Sequence, residues 1–352
     1  GQKLSIRAQT NGTYYQGYNL SFVEPWLGGK KPNSLSVSFY HTASNYNYYQ
    51  SRISSRVSGS MKVFGSSVGL GQRLKWPDDF FILRNSLNYQ FYNLDNYSSR
   101  TFNFTDGKSN NLNFSTTFAR NSVDAPIYPR RGSLFSLTVE FTPPFSVFKE
   151  DGFWGLNPAQ YDTLTTSEIT KKENSKKFKW IEYHKWKFKS SWYLKLVGDL
   201  VLYTNAEYGF LGFYNADIGH SPFEKFSVGG DGLSGYRTYG EEIIAMRGYE
   251  NNSLSYNGGN IYEKYTIELR YPLSLNPNAT LYGLVFAEGG NAWAEFKNFD
   301  PFSIKRAAGV GIRIFLPMFG MLGVDWGYRF DEIPGISEAN EGKFSFIIGQ
   351  QF

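Results

Sequence analysis

Apolar and polar side chains alternate with period two along this chain, in run after run of roughly ten residues, and that pattern leaves few folds open. Leu4, Ile6 and Ala8 alternate with Lys3, Ser5, Arg7 and Gln9. Phe81, Leu83, Leu87, Tyr89 and Phe91 oppose Arg84, Ser86, Asn88 and Gln90. Tyr265, Ile267, Leu269 and Tyr271 oppose Thr266, Glu268 and Arg270. Leu322, Val324, Trp326, Tyr328 and Phe330 oppose Asp325, Gly327 and Arg329. Charged residues sit on the polar face in nearly every run. A β-sandwich also alternates, but its strands are usually nearer five or six residues. Runs of this length suit tilted strands that cross a bilayer, with lipid on one face and water on the other.

The final run has the same form. Phe344, Phe346, Ile348 and Phe352 share one face, and Ser345, Gly349 and Gln351 the other, with Ile347 the apolar exception. A strand of this kind ending on an aromatic residue matches the C-terminal signal of bacterial outer-membrane barrels. Aromatic residues make up 18% of the 352 positions, which suits the aromatic girdles at two membrane interfaces. Mean hydropathy is only −0.41. No apolar run approaches the roughly 18 residues of a spanning helix. Ile314 to Val324 comes nearest, and Pro317, Gly320 and Gly323 interrupt it.

Connector lengths alternate as well. Short ones include Trp76–Asp79, Asn276–Asn278 and Pro317–Gly320. Long polar ones include Ala43–Gly59, Leu94–Asn110, Pro143–Lys176, Leu211–Asn260 and Asp331–Gly342. Short turns at one end and long loops at the other are the arrangement of outer-membrane barrels. The expected fold is therefore all-β, a transmembrane antiparallel barrel with about fourteen strands visible. No linker or second domain is evident, so residues 1–352 read as one barrel domain.

Other classes find little support. Cysteine is absent, so there is neither a disulfide framework nor thiol chemistry. The formal charge is +5, but Lys and Arg are scattered. The densest cluster, Lys171 to Lys189, is interleaved with Trp180, Tyr183, Trp186 and Phe188, and reads as a strand with its extracellular loop, not as a nucleic-acid patch. His41, His184 and His220 lack ligand spacing, and no nucleophile elbow, P-loop or zinc motif occurs. Neither catalysis, a metal nor a cofactor is expected. Gly1-Gln-Lys-Leu starts directly in strand-like sequence, which reads as a mature chain or a fragment.

Phe226-Ser-Val-Gly-Gly-Asp-Gly-Leu-Ser-Gly-Tyr236, followed by Ala245-Met-Arg-Gly-Tyr-Glu250, resembles the BamA family of outer-membrane protein assembly factors. In that family the sixth extracellular loop folds back into the barrel and carries a Val-Arg-Gly-Phe-type motif downstream of a Gly-Gly pair. Met246-Arg247-Gly248-Tyr249 has that form, with Gly229-Gly230 upstream. A second placement, Leu233-Ser-Gly-Tyr236, lacks the arginine and is less favoured. Val23-Glu-Pro-Trp-Leu-Gly-Gly29 resembles the family's early periplasmic turn, in a form similar to Bacteroidota members. Asp124 to Gly132 resembles its Pro…Gly turn, Phe286 to Trp293 the strand after the loop-six return strand, and Phe344 to Phe352 its last strand.

The resemblance implies a barrel of sixteen strands preceded by periplasmic POTRA domains. Gln2 to Thr10 then corresponds to the third strand, which leaves the POTRA domains and the first hairpin outside this chain. It also implies that Arg247 meets acidic residues on the inner wall, Glu288 first and Glu268 second. Without the resemblance, Arg247 reads as an ordinary solvated loop arginine. Gly349 weakens the terminal strand, either to permit a kink or merely to pack against an aromatic ring. In the family such a weak seam opens and templates the strands of a client barrel, without ATP. The implied partners are unfolded barrel clients, accessory lipoproteins, surface-side subunits and outer-membrane lipid or lipopolysaccharide, with no nucleic acid. The rival readings are a TamA-like translocation paralogue, a passive porin and, more distantly, a soluble sheet-based binding protein.

Overall fold

A computed structural model describes the chain except for residues 30–32, 51–54, 98–103, 151, 234–239, 256–257, 334, 337 and 350–352. Its strands are β1 (Lys3–Asn11), β2 (Tyr15–Glu24), β3 (Asn33–Gln50), β4 (Ser55–Arg73), β5 (Phe81–Asp95), β6 (Gly107–Asn121), β7 (Gly132–Phe141) and β8 (His184–Lys195). They continue with β9 (Val201–Gly212), β10 (Lys225–Val228), β11 (Glu241–Ile244), β12 (Ile261–Asn276), β13 (Ala279–Trp293), β14 (Lys305–Leu316), β15 (Gly320–Arg329) and β16 (Glu341–Ile348). Fourteen of them form one antiparallel sheet in chain order, with β9 followed by β12, and β10 and β11 pair separately in parallel. The described residues fall into two compact units.

One unit comprises residues 1–118, 139–185 and 212–222. Its strands β1 to β5 pair as neighbouring hairpins, and the register of β3 with β4 runs from Asn33↔Gln72 to Gln50↔Ser55. That pairing corrects the loop expected over Ala43–Gly59, because both strands run on through it. Polar composition there signals loss of an apolar face, not loss of backbone pairing, which side-chain polarity does not control. The basic cluster divides between a connector and a strand, and the connector part is helical, which the sequence reading did not anticipate. Two α-helices lie among the described residues of that connector, α1 (Pro158–Tyr161) and α2 (Thr166–Lys177); Lys171 to Lys177 lie on α2, and Lys185 to Lys189 lie on a strand. Helix α2 has no apolar stripe to announce it, but Thr165 and Glu168 form a capping box: Glu168 accepts from the Thr165 amide at 2.9 Å, and Thr165 Oγ1 accepts from the Glu168 amide at 3.4 Å. Thr165→Ala should therefore destabilise α2 by about 1 kcal/mol, read as faster amide hydrogen exchange confined to residues 166–177.

The same unit buries one acid in a connector. Glu182 accepts from the amide and hydroxyl of Ser146, and burial still pushes its carboxyl above the ordinary range. Nearby, the Tyr214 hydroxyl lies 3.1 Å from the carbonyls of both Thr142 and Tyr183, tying its own connector to both ends of the one between β7 and β8.

The other unit comprises residues 119–138, 186–211 and 223–352. Here alternation sorts side chains as expected. On β12, Ile267, Leu269, Tyr271 and Leu273 are exposed, while Thr266 and Glu268 are buried. On β16, Phe344, Phe346 and Ile348 are exposed and Ser345 is buried. An exposed apolar face of this extent is unfavourable in water and favourable against lipid. β13 alternates in the opposite sense over part of its length: Tyr282, Leu284 and Phe286 are buried on the inner face, alongside Glu288. They pack with Tyr128, Val201 and Met321. Tyr128 comes from the Asp124–Gly132 turn, and its hydroxyl donates to the Asp199 and Arg270 carbonyls, each at 3.0 Å. Gly132 closes that turn with φ +107, where a Cβ would stand 2.2 Å from the Ser122 carbonyl oxygen.

Candidate functional site: an arginine held by three strands

The segment between β9 and β12 carries the Gly-Gly pair and the arginine motif, and backbone hydrogen bonds join them. The Gly229 amide donates to Ile244 O at 3.0 Å, and the Met246 amide to Gly230 O at 2.9 Å. Gly229 and Gly230 take φ +124 and +81, which only glycine adopts freely. A Cβ on Gly229 would stand 2.4 Å from the Glu250 carbonyl oxygen. Met246 and Tyr249 are fully buried, in one cluster with Ala307. The Tyr249 hydroxyl donates to Arg306 O at 2.9 Å. Gly248, with φ +85, rests directly on Gly327 of β15, where a Cβ would come within 2.7 Å of the Gly248 nitrogen.

These contacts turn Arg247 toward the inner face of the sheet. Its Nη2 lies 2.6 Å from Glu268 Oε1 and 2.7 Å from Glu288 Oε1, and its Nη1 lies 3.4 Å from Asp325 Oδ2. Its backbone amide donates to Glu288 Oε2 at 2.9 Å. Below, the Phe286 ring centroid is 3.6 Å from the guanidinium carbon, a cation–π stack. The register makes this possible. Thr266 faces Glu288 and Glu268 faces Phe286 across β12 and β13, so both carboxylates and the ring share one patch.

No carboxylate here depends on Arg247 alone. Arg270 Nη2 is 2.6 Å from Glu268 Oε2, and Lys264 Nζ is 3.2 Å from Glu288 Oε1. Arg313 grips Asp325 bidentately at 2.6 and 2.7 Å. Four cations thus face three carboxylates, all nearly inaccessible to water. Burial works against the charge on Arg247, but Glu288 and Glu268 outweigh it and hold its pKa above the ordinary value. The charge is therefore fixed, and the planar fork bridges two strands as an ammonium could not.

The segment is also tied to the last two strands. Arg329 Nη1 donates to Gly248 O at 3.2 Å, and its Nη2 pairs with Glu341 of β16. Lys343 of β16 pairs with Glu250. Upstream, Lys187 pairs with Glu242 at 3.1 Å. Gly349 follows the end of β16 with φ +63, and its amide donates to Met321 O at 2.8 Å. Among the described residues nothing lies within 4 Å of a Cβ at Gly349, so none of their rings packs against it, and its left-handed φ departs from strand geometry. Phe352 and the Ser234–Tyr236 part of the second motif placement lie outside the described residues. Leu233 is exposed.

Sequence reasoning missed Asp325 and Phe286 as partners of Arg247. Asp325 stood on a polar face, which locates it in the interior but not beside this loop.

The whole sequence, residues 1–352, matches the Omp85 superfamily domain. The chain belongs to the Omp85 superfamily. Among solved structures, BamA from Haemophilus ducreyi lacking POTRA domains 1–3 aligns with a TM-score of 0.65 at 17% identity, over 99% of this chain and 65% of that one. CdiB from Escherichia coli aligns with a TM-score of 0.56 at 12% identity, over 94% of this chain and 52% of that one. CdiB from Acinetobacter baumannii gives 0.53 at 11% identity, over 98% and 53%. This Omp85 member thus spans between half and two-thirds of the length of these structures, and at such identities they establish its fold alone. No curated protein matches it in sequence. Family and fold together indicate a β-barrel of the bacterial outer membrane, with fourteen strands in the main sheet.

Proposed function

We propose that this Omp85 member is an outer-membrane protein insertase, which folds client β-barrels into the bilayer by templating their strands and uses no ATP. The observation that carries the reading is the Arg247 anchor. A loop of a passive pore has no need of a buried guanidinium shared by Glu268, Glu288 and Asp325 and of further ties to β15 and β16. Such a loop fixes one side of the terminal hairpin, and a left-handed glycine, Gly349, follows β16. A terminal strand that opens at its outer edge offers unpaired backbone groups to an incoming strand, and the client's own burial in lipid supplies the free energy. Partners on this reading are unfolded barrel clients, accessory lipoproteins and surface-side subunits.

A second reading is a translocation paralogue with few clients, and the alignment of two CdiB structures over nearly the whole chain favours it. Reconstitution separates the readings. The full-length protein in phospholipid vesicles should raise the folded, protease-resistant yield of several unrelated urea-denatured barrels by about tenfold. Acceleration of a single client only would favour the paralogue. Large, steady single-channel conductance without any acceleration would mean a porin.

A further inference from the structure

The outer face of β12 to β14 contains a notch that the anchor does not use. Toward the bilayer centre this face carries Ile267, Leu269, Val285 and Val310, all exposed. Nearer the 294–304 connector the register brings small residues side by side instead. Ala287 faces Ala308, and Gly289 faces Arg306. The result is a cavity of about 470 Å³ with an almost wholly apolar lining, floored by Ala287, Gly289 and Ala308 and walled by Tyr265, Ile304 and Phe330. That volume lies within the roughly 300–1,000 Å³ range of small-molecule sites. Ile304 leans over Gly289, where a Cβ would meet its Cδ1 at 3.0 Å.

Arg306 stands at the rim with its side chain 62% exposed. Asp331 takes Nε at 3.1 Å and Nη2 at 2.9 Å, which leaves Nη1 without a hydrogen-bond partner among the described residues. The notch opens onto the lipid-facing surface and continues it, so its occupant comes from the bilayer. We infer that it holds one acyl chain of a phosphate-bearing membrane lipid, whose headgroup is bound by Arg306. The apolar floor takes the chain, because no polar group there would be left unpaired. The guanidinium selects the head, since its free edge matches phosphate oxygens. With Asp331 already paired, Arg306 adds hydrogen bonds more than net charge, so chain shape carries most of the affinity.

Native mass spectrometry of the purified, heat-modifiable full-length protein tests this, with phosphatidylglycerol and diacylglycerol of identical chains as probes. One phosphatidylglycerol should remain bound under detergent activation that strips diacylglycerol. Ala287→Leu and Ala308→Leu, each filling the floor without touching the interior, should weaken retention about tenfold. Arg306→Gln should abolish the preference for phosphatidylglycerol, and Val285→Leu, on the same face but off the notch, should change nothing. Equal retention by wild type and both floor variants would mean general lipid adhesion and overturn the site. Equal retention of the two lipids by wild type would overturn the headgroup assignment. Both leucine variants must first show the mobility shift of a folded barrel; Ala308→Val provides the same test with a smaller side chain if either fails.

Discussion

Arg247→Ala should free the segment around Met246 from β12, β13 and β15 and raise protease access there by about two orders of magnitude. The reasoning is electrostatic. Removing one partner of a buried ion pair costs about 3–5 kcal/mol, and the low end applies here because each carboxylate keeps a second cation. Here Glu268 keeps Arg270 and Asp325 keeps Arg313, but Glu288 is left with Lys264 at 3.2 Å and loses both the guanidinium and its alignment with the loop. A cost of about 3 kcal/mol corresponds to a roughly 100-fold rise in local opening. Arg247→Lys should recover little of it, since one ammonium cannot bridge Glu268 and Glu288 and stack on Phe286 at once. The readout is limited proteolysis between Gly240 and Asn260 in folded protein; unchanged cleavage in both variants would remove the anchor.

Gly327→Val should loosen the same segment without altering any charge. A Cβ at Gly327 would stand 2.7 Å from the Gly248 nitrogen and 3.0 Å from its Cα, and both belong to backbone that cannot rotate away. Overpacking of this kind typically costs about 1–3 kcal/mol. The displaced turn would carry Arg247 off its carboxylates, so this variant and Arg247→Ala act on one structure. Their effects should combine well below additivity, whereas independent sites would add to within about 0.5 kcal/mol. Hydrogen exchange of the Met246 and Arg247 amides in the two single variants and the double variant provides the measurement.

Much of this was legible from sequence, for particular reasons. Alternation over Tyr265–Tyr271 and Leu322–Phe330 separated lipid-facing from interior side chains, because in a one-layer wall each strand must serve two solvents. Glu268 could be assigned to the interior for the same reason. Arg247 could not be picked from the other arginines by pattern, and only the motif around it singled it out. The inner aromatic floor stayed hidden, since Phe286 in an alternating run reads as lipid-facing; inward apolar packing against Tyr128 requires a turn that folds inward, and no local period encodes that. Helix α2 is uniformly polar, so its one local signal was the pair Thr165 and Glu168. The extension of β3 and β4 was missed because paired backbone outside lipid carries no hydrophobic signature. Gly327 stood in the sequence only as a polar-face position, whereas in the structure it is the space into which Gly248 fits.

The most direct test is depletion of this protein in its source cell, with mass spectrometry of the outer-membrane fraction and complementation by wild type or Arg247→Ala. The account predicts joint loss of many unrelated barrel proteins, restored by wild type and not by Arg247→Ala. An outer-membrane profile that stays unchanged on depletion would contradict it.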